Sequence, residues 1–214
     1  MAVDVAQRRG STGAGVVPRL YDALVWPAER AFIGRWRRRL SSRAAAGAAR
    51  LLEIGAGTGA GFRALPPGAR VVALEPASAM AARARVRAAM AGRRGVAAQV
   101  VEGRAEQLPF ADASFDAVLA TFVWCSVADP ERAFAEARRV LRPGGRLYLL
   151  EHVHNRWQPA RALQTLFAPA WRRVAGGCRL DQDTVGLLVA AGLSVERRAD
   201  HLLGWVVEIE AARR

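Results

Sequence analysis

The chain has 214 residues, 52% of them hydrophobic, with a formal charge of +13. That length allows one domain with a substantial core, and that apolar content excludes disorder by composition. No apolar run reaches the roughly 18 residues of a membrane span, and two cysteines, Cys125 and Cys178, make no disulfide framework.

In chain order, "MAVDVAQRRGSTGAG" carries Asp4 and lacks an apolar signal core, so residues 1–18 read as a disordered cytoplasmic tail. Residues 19–46 read as a helical cap on a single domain spanning 19–214. Trp26, Phe32, Ile33, Trp36 and Leu40 share its apolar side, and Arg35, Arg37, Arg38 and Arg39 are expected in water. A lid or a membrane-surface helix are the other readings of this segment.

From residue 50 short apolar runs alternate with helical stretches. Strands are expected at 50–54, 70–75, 97–103, 115–122 and 145–153, with helices at 78–92 and 129–145. In the second helix Asp129 can cap, Pro130 suits the first position, and "RPGG" is the stop. Two more helices fit 159–175 and 181–191, and "LSVERRA" and "LGWVVEIEA" close the chain as two edge strands. The alternation predicts an α/β fold: a mostly parallel sheet of seven strands with helices on both faces.

Every basic residue is arginine, and there is no lysine. With so much alanine, this bias fits codon composition, so the charge is a weak guide to function. A basic surface attracts anionic ligands or lipids. No zinc finger, RNP pattern or helix-turn-helix is present, so a nucleic-acid partner is not expected.

"LLEIGAGTGAG" places Gly55, Gly57 and Gly59 directly after the first strand. Glycines there admit positive φ and close approach of backbone N–H groups to a ligand. Ligands bind outside the carboxyl ends of such strands. Glu75 ends the second strand, where a carboxylate can take both hydroxyls of an adenosine ribose. Gly55-x-Gly57-x-x-Ala60 also passes for a dinucleotide fingerprint, but Glu53 would repel a pyrophosphate and attract a sulfonium and an ammonium. That favours S-adenosylmethionine over NAD. A Walker loop is excluded because it needs a lysine.

"LLEIGAGTG", "VVALEPASAM", "VEGRAEQLPFADASFDAVLATFVWCSV" and "DPERAFAEARRVLRPGGRLYLLEHV" follow one another across residues 50–153. Together they resemble the class I S-adenosylmethionine-dependent methyltransferases, in the small-molecule branch of quinone, phospholipid and thiol methyltransferase-like proteins. The resemblance implies a Rossmann-like class I methyltransferase fold with an antiparallel closing strand, and S-adenosyl-L-methionine as cofactor, released as S-adenosyl-L-homocysteine. It implies that Glu53, Gly55, Gly57 and Gly59 surround the methionine portion and that Glu75 holds the ribose. Pro76, Ala77 and Met80 would flank the adenine. Ala105 and Glu106 would meet its amino group, where many relatives have an aspartate at the position of Arg104. Thr121 and Phe122 would border the transferable methyl group.

A methyltransferase must align nucleophile, methyl and sulfur and exclude water. Strand ends and the cap nominate Tyr21, Trp26, Trp124, Cys125, Ser126, Glu151 and His154 for a substrate pocket, and His152 as general base. The histidines and cysteines suggest no metal site. Segment 155–183 is expected to cover the substrate, and its aromatic residues predict a small hydrophobic or aromatic acceptor, methylated at O, N, S or C. The protein is expected to be cytoplasmic, a monomer or homodimer, with peripheral membrane contact open. A non-catalytic cofactor-binding partner protein and an NAD-dependent oxidoreductase are the alternatives.

Overall fold

A computed structural model of the chain describes residues 22–23, 26–27, 29–174 and 177–214. The expected tail and Tyr21 lie outside them. Seven strands form one sheet: β1 (Leu51–Ile54), β2 (Arg70–Glu75), β3 (Ala97–Glu102), β4 (Phe115–Thr121), β5 (Leu141–His152), β6 (Leu193–His201) and β7 (Val206–Arg213). Their order is β3-β2-β1-β4-β5-β7-β6. Pairing is parallel from β3 through β5, and β7 runs antiparallel to both β5 and β6. The α-helices of the described residues are α1 (Gly34–Ala45), α2 (Ser78–Gly92), α3 (Pro130–Val140), α4 (Gln158–Val174) and α5 (Thr184–Ala190).

Side chains alternate across a strand, and that alternation divides the core in two. Leu52, Ile54, Leu74, Val118, Ala120, Leu147 and Leu149 face α3 and α5, meeting Phe134, Ala137 and Leu188. Leu51, Ala73, Leu119 and Leu150 face the other way, toward Leu40 and Ala44 of α1 and Ala84 of α2. Glu53, Glu75 and Thr121 have the parity of this second set. The sheet therefore delivers all three to the face covered by α1 and α2, at the carboxyl ends of neighbouring parallel strands. The chain reverses its direction of travel across the sheet between β1 and β4, the place where open α/β sheets hold ligands.

Local chemistry sets the element ends. Asp129 caps α3 by accepting from Arg132 N at 3.0 Å, and Asp183 caps α5 from Gly186 N at 2.9 Å. Several expected boundaries change. Within the expected cap, a π-helical turn, Glu29–Ile33, leads into α1, while residues 19–21, 24–25 and 28 lie outside the described residues. The helix expected over 129–145 stops at Val140, because Leu141 already pairs with Phe115 of β4 and Pro143 cannot extend a helix. The second closing strand starts at Val206, since Leu202–Gly204 turn the chain between β6 and β7.

Candidate cofactor and acceptor site

The turn after β1 is left-handed at Gly55 (φ +68°), Gly57 (φ +57°) and Gly59 (φ +78°). The N–H groups of Gly55 and Ala56 donate to Leu74 O at 2.8 and 3.0 Å, which ties the turn to β2. A Cβ on Gly55 would stand 2.5 Å from Val123, whereas one on Gly57 would meet nothing within 4 Å. Gly55 thus brings the β1 and β4 turns together, and Gly57 leaves open space above the turn.

Two carboxylates frame that space. Glu75 accepts from Gly57 N at 2.9 Å and Ala77 N at 3.0 Å. Burial raises its pKa, and these two N–H groups partly offset the rise. A carboxylate has about four acceptor positions, so two remain for ligand hydroxyls. Glu53 is 3% exposed, and its Oε2 has no hydrogen-bond partner among the described residues. Burial lifts its pKa to about 7 against the lowering charge of Arg37. Gly61 allows this approach, since a Cβ there would lie 2.5 Å from Glu53 Oε1.

Sequence reasoning missed two contributors. Arg37 points inward from α1, with Nη1 donating to Thr121 Oγ1 at 2.8 Å and Nη2 to Glu29 at 3.1 Å. The expectation that it faces water is corrected. The signal was available: Gly34, Arg37, Ser41 and Ala44 recur at helical spacing, and the other three are buried. Asp22 takes Thr58 Oγ1 at 2.7 Å, Arg83 Nε at 2.8 Å and Arg87 Nη2 at 2.7 Å. Burial opposes its charge, but the bonds from Arg87, Thr58 and Arg83 hold its pKa below the usual value. This clasp fastens the chain before α1 to the glycine turn and to α2, and no local pattern announces it.

On the adenine side Ala105 and Met80 are buried and Pro76 is exposed. Glu106 is committed to Arg104 at 3.3 Å and to Ala128 N at 3.2 Å, so its side chain already has partners.

The nominated pocket residues separate. Phe122 takes a left-handed φ of +59° after β4, and its ring lies 4.7 Å from that of His152. Glu151 and His152 are adjacent in β5 and so face opposite sides. Glu151, 0% exposed, accepts from Val123 N at 2.7 Å, Trp124 N at 3.0 Å and Cys125 N at 3.5 Å. Burial raises its pKa to about 7 against those bonds. Trp124 is fully buried against Phe134, 4.7 Å between ring centroids. Both were expected at the acceptor and instead serve the core. Ser126 turns its hydroxyl to Val123 O at 3.0 Å. His154 lines a separate cavity of about 430 Å³ with Arg156, Arg161, Asp183 and Arg198, away from Glu53 and Glu75. Trp26 is exposed, with the Arg30 guanidinium 5.7 Å from its ring.

Cys125 and Cys178 join His152. The two sulfurs lie 3.3 Å apart, with Cys178 Sγ 3.5 Å from His152 Nδ1. Contact with Cys125 and then with His152 holds the Cys178 thiol low, while Cys125 is pushed up. The sequence suggested no metal site among the histidines and cysteines, and the fold brings these three together.

The sheet has the Rossmann-like class I order, and its switch-point crevice is the candidate place for a nucleoside cofactor. Residues 52–149 match the family model described as "Methyltransferase domain". The chain is 39% identical over 145 residues to thiol S-methyltransferase TMT1B of Homo sapiens, covering 65% of this chain and 58% of that protein. It is 33% identical over 172 residues to thiol S-methyltransferase TMT1A of Homo sapiens, covering 74% and 70%. The fold superposes with a TM-score of 0.70 and 17% identity on geranyl diphosphate C-methyltransferase from Streptomyces coelicolor A3(2), over 96% of this chain and 88% of that one. That enzyme was solved with S-adenosyl-L-homocysteine, Mg2+ and geranyl diphosphate. The chain belongs to the S-adenosylmethionine-dependent methyltransferases, in the small-molecule branch, whose cofactor is S-adenosylmethionine. It spans little more than half the length of the first of these relatives, 58%. Its residues fit that cofactor: the buried Glu53 Oε2, without a partner among the described residues, suits an ammonium, and Glu75 retains acceptors for a ribose.

Proposed function

We propose that this chain is a methyltransferase that carries the methyl group of S-adenosylmethionine to the sulfur of a small apolar thiol. The carrying observation is the buried Glu53 carboxylate, whose Oε2 has no hydrogen-bond partner among the described residues, one strand from Glu75 at the carboxyl end of the sheet. Glu53 would take the ammonium of the methionine portion and Arg37 its carboxylate. Glu75 would take the ribose hydroxyls, and Gly55, Gly57 and Gly59 give the turn its shape. Pro76, Ala77 and Met80 would flank the adenine. The backbone of Ala105 would meet the adenine amino group, because Glu106 is engaged elsewhere. Thr121 and Phe122 would border the methyl side.

When bound, the cofactor supplies an electrophilic methyl carbon on a sulfonium leaving group and departs as S-adenosyl-L-homocysteine. The chain's task is alignment and exclusion of water. The thiol reading is supported by the names of the relatives and by His152, whose Nδ1 faces two cysteine sulfurs rather than open space. A thiol, with an ordinary pKa near 8.5, needs no dedicated base. An apolar acceptor is supported by segment 155–183, in which Leu163, Leu166, Phe167 and Trp171 are exposed and Trp171 lies 6.5 Å from His152. That apolar side, with Arg161, Arg172 and Arg173, also supports peripheral membrane contact.

The test is methyl transfer by purified protein to parallel panels of apolar thiols, phenols and quinols, read by mass spectrometry. Methylation of thiols ahead of the others is expected. Transfer confined to oxygen or carbon acceptors would replace the thiol, and cofactor binding with no transfer to any panel would favour the non-catalytic partner.

A further inference from the structure

Three side chains with metal-binding atoms meet beside the proposed acceptor side. Cys125 comes from the turn after β4, His152 from the last position of β5, and Cys178 from the loop after α4. Sγ to Sγ is 3.3 Å, Cys178 Sγ to His152 Nδ1 is 3.5 Å, and Cys125 Sγ to the same nitrogen is 3.9 Å. The cysteines are buried with Leu180 in an apolar cluster of their own.

The supports are as specific as the cluster. Cys125 is fixed through its carbonyl, which accepts from Arg179 N at 2.6 Å, and through its N–H, which Glu151 receives at 3.5 Å. Gln182 Nε2 donates to Trp124 O at 3.1 Å, joining the Cys178 loop to the same turn. The His152 ring is set by Phe122 at 4.7 Å and Trp171 at 6.5 Å.

We propose that Cys125, Cys178 and His152 form a binding site for one zinc ion. Zinc–sulfur bonds of about 2.3 Å and zinc–nitrogen bonds of about 2.0 Å in a tetrahedron separate two sulfurs by about 3.7 Å and sulfur from nitrogen by about 3.5 Å. The observed separations lie within about half an ångström of these. A disulfide would instead require the sulfurs to close to about 2.05 Å. Binding releases the two thiol protons, and two thiolates with one neutral imidazole balance the ion's charge, as a buried place requires. Three protein ligands leave a fourth position for water or a heteroatom of the acceptor. His152 is the half-buried member, so that position opens on its side. The site does not depend on the methyl-transfer reading.

The experiment is titration of reduced, chelator-stripped protein with Co2+, followed by displacement with Zn2+. One equivalent of Co2+ with sulfur-to-cobalt charge-transfer absorption is expected, bleached by one equivalent of Zn2+. Cys178→Ser should weaken binding at least tenfold and reduce the charge-transfer band. His152→Gln should weaken binding while keeping that band. Circular dichroism and calorimetry with S-adenosylmethionine on the same samples report the fold and the cofactor site separately. Uptake by the wild type no greater than by Cys178→Ser, with both folded, would overturn the site. So would sulfurs that pass to a disulfide in air while the reduced protein ignores Co2+.

Discussion

Glu53 couples the cofactor site to pH. Its carboxyl titrates near 7 in the folded chain against an ordinary 4.5, because burial penalises the charge. The folded state therefore binds more protons than the unfolded state between about pH 4.5 and 7. Stability contributed by the protonated group is full below 4.5 and is lost as pH rises through 7, by about 3 kcal/mol. Glu53→Gln should remove this slope and leave the ligand-free protein more stable at pH 8 by up to that amount, measured by urea unfolding. The same charge is what a cationic ligand needs. Affinity for S-adenosylmethionine should rise from pH 5.5 to 7.5 in the wild type and stay flat in Glu53→Gln, by calorimetry. A flat wild-type profile would remove Glu53 from the ammonium contact.

Arg37 works from the opposite sign. Its inward guanidinium reaches Thr121, and its Nε has no partner among the described residues. Arg37→Ala should weaken cofactor binding about ten- to a hundredfold, since a hydrogen bond to a charged group contributes about 1.5–3 kcal/mol. Arg37→Lys should recover part of this. Equal affinities for wild type and Arg37→Ala would mean that the residue only tethers α1 to β4. Glu53 and Glu75 were legible because they stand beside a glycine turn and at a strand end. Arg37 was harder to see: in a run of arginines, only its helical spacing with Gly34, Ser41 and Ala44 marks it as the one on the buried face.

At the scale of elements, three successive N–H groups of the turn after β4 share one carboxylate. Glu151 gathers the N–H groups of Val123, Trp124 and Cys125, so the turn needs no side-chain cap of its own. Glu151→Ala should lower stability by about 3 kcal/mol, because it strands buried donors, and the loss should appear as an earlier urea midpoint. Unchanged stability would mean that water replaces the carboxylate. This residue also marks a limit of strand-end reasoning. Counted simply as the carboxyl end of the strand expected over 145–153, Glu151 and His152 both point at a substrate. Taken as the last two residues of β5, they alternate, and only His152 reaches the cofactor face. The strands were visible as short apolar runs, and the helices as capped, 3.6-periodic segments. The Asp22 clasp and the Cys125–Cys178–His152 cluster were not, because each joins residues far apart in sequence through side chains whose meeting depends on the packed sheet.

For the whole molecule, sheet order determines what a ligand can do to stability. The β1 and β4 turns flank the switch point, α1 covers it through Arg37, and Asp22 clasps the preceding chain to α2. A ligand held there touches the middle of the sheet and both covering helices, so its binding energy acts on cooperative unfolding of the domain. S-adenosyl-L-homocysteine at one hundred times its Kd adds about 2.7 kcal/mol to the folded state. For a chain of this size that raises the melting temperature by roughly 5–10 °C. NAD at the same concentration should raise it little, because its pyrophosphate would face the buried carboxylate of Glu53. Glu75→Ala should abolish the shift produced by the nucleoside ligand, since it removes the ribose acceptors and releases the Gly57 and Ala77 N–H groups that hold the turn. A shift produced by NAD and lost in the same variant would instead assign this crevice to a dinucleotide.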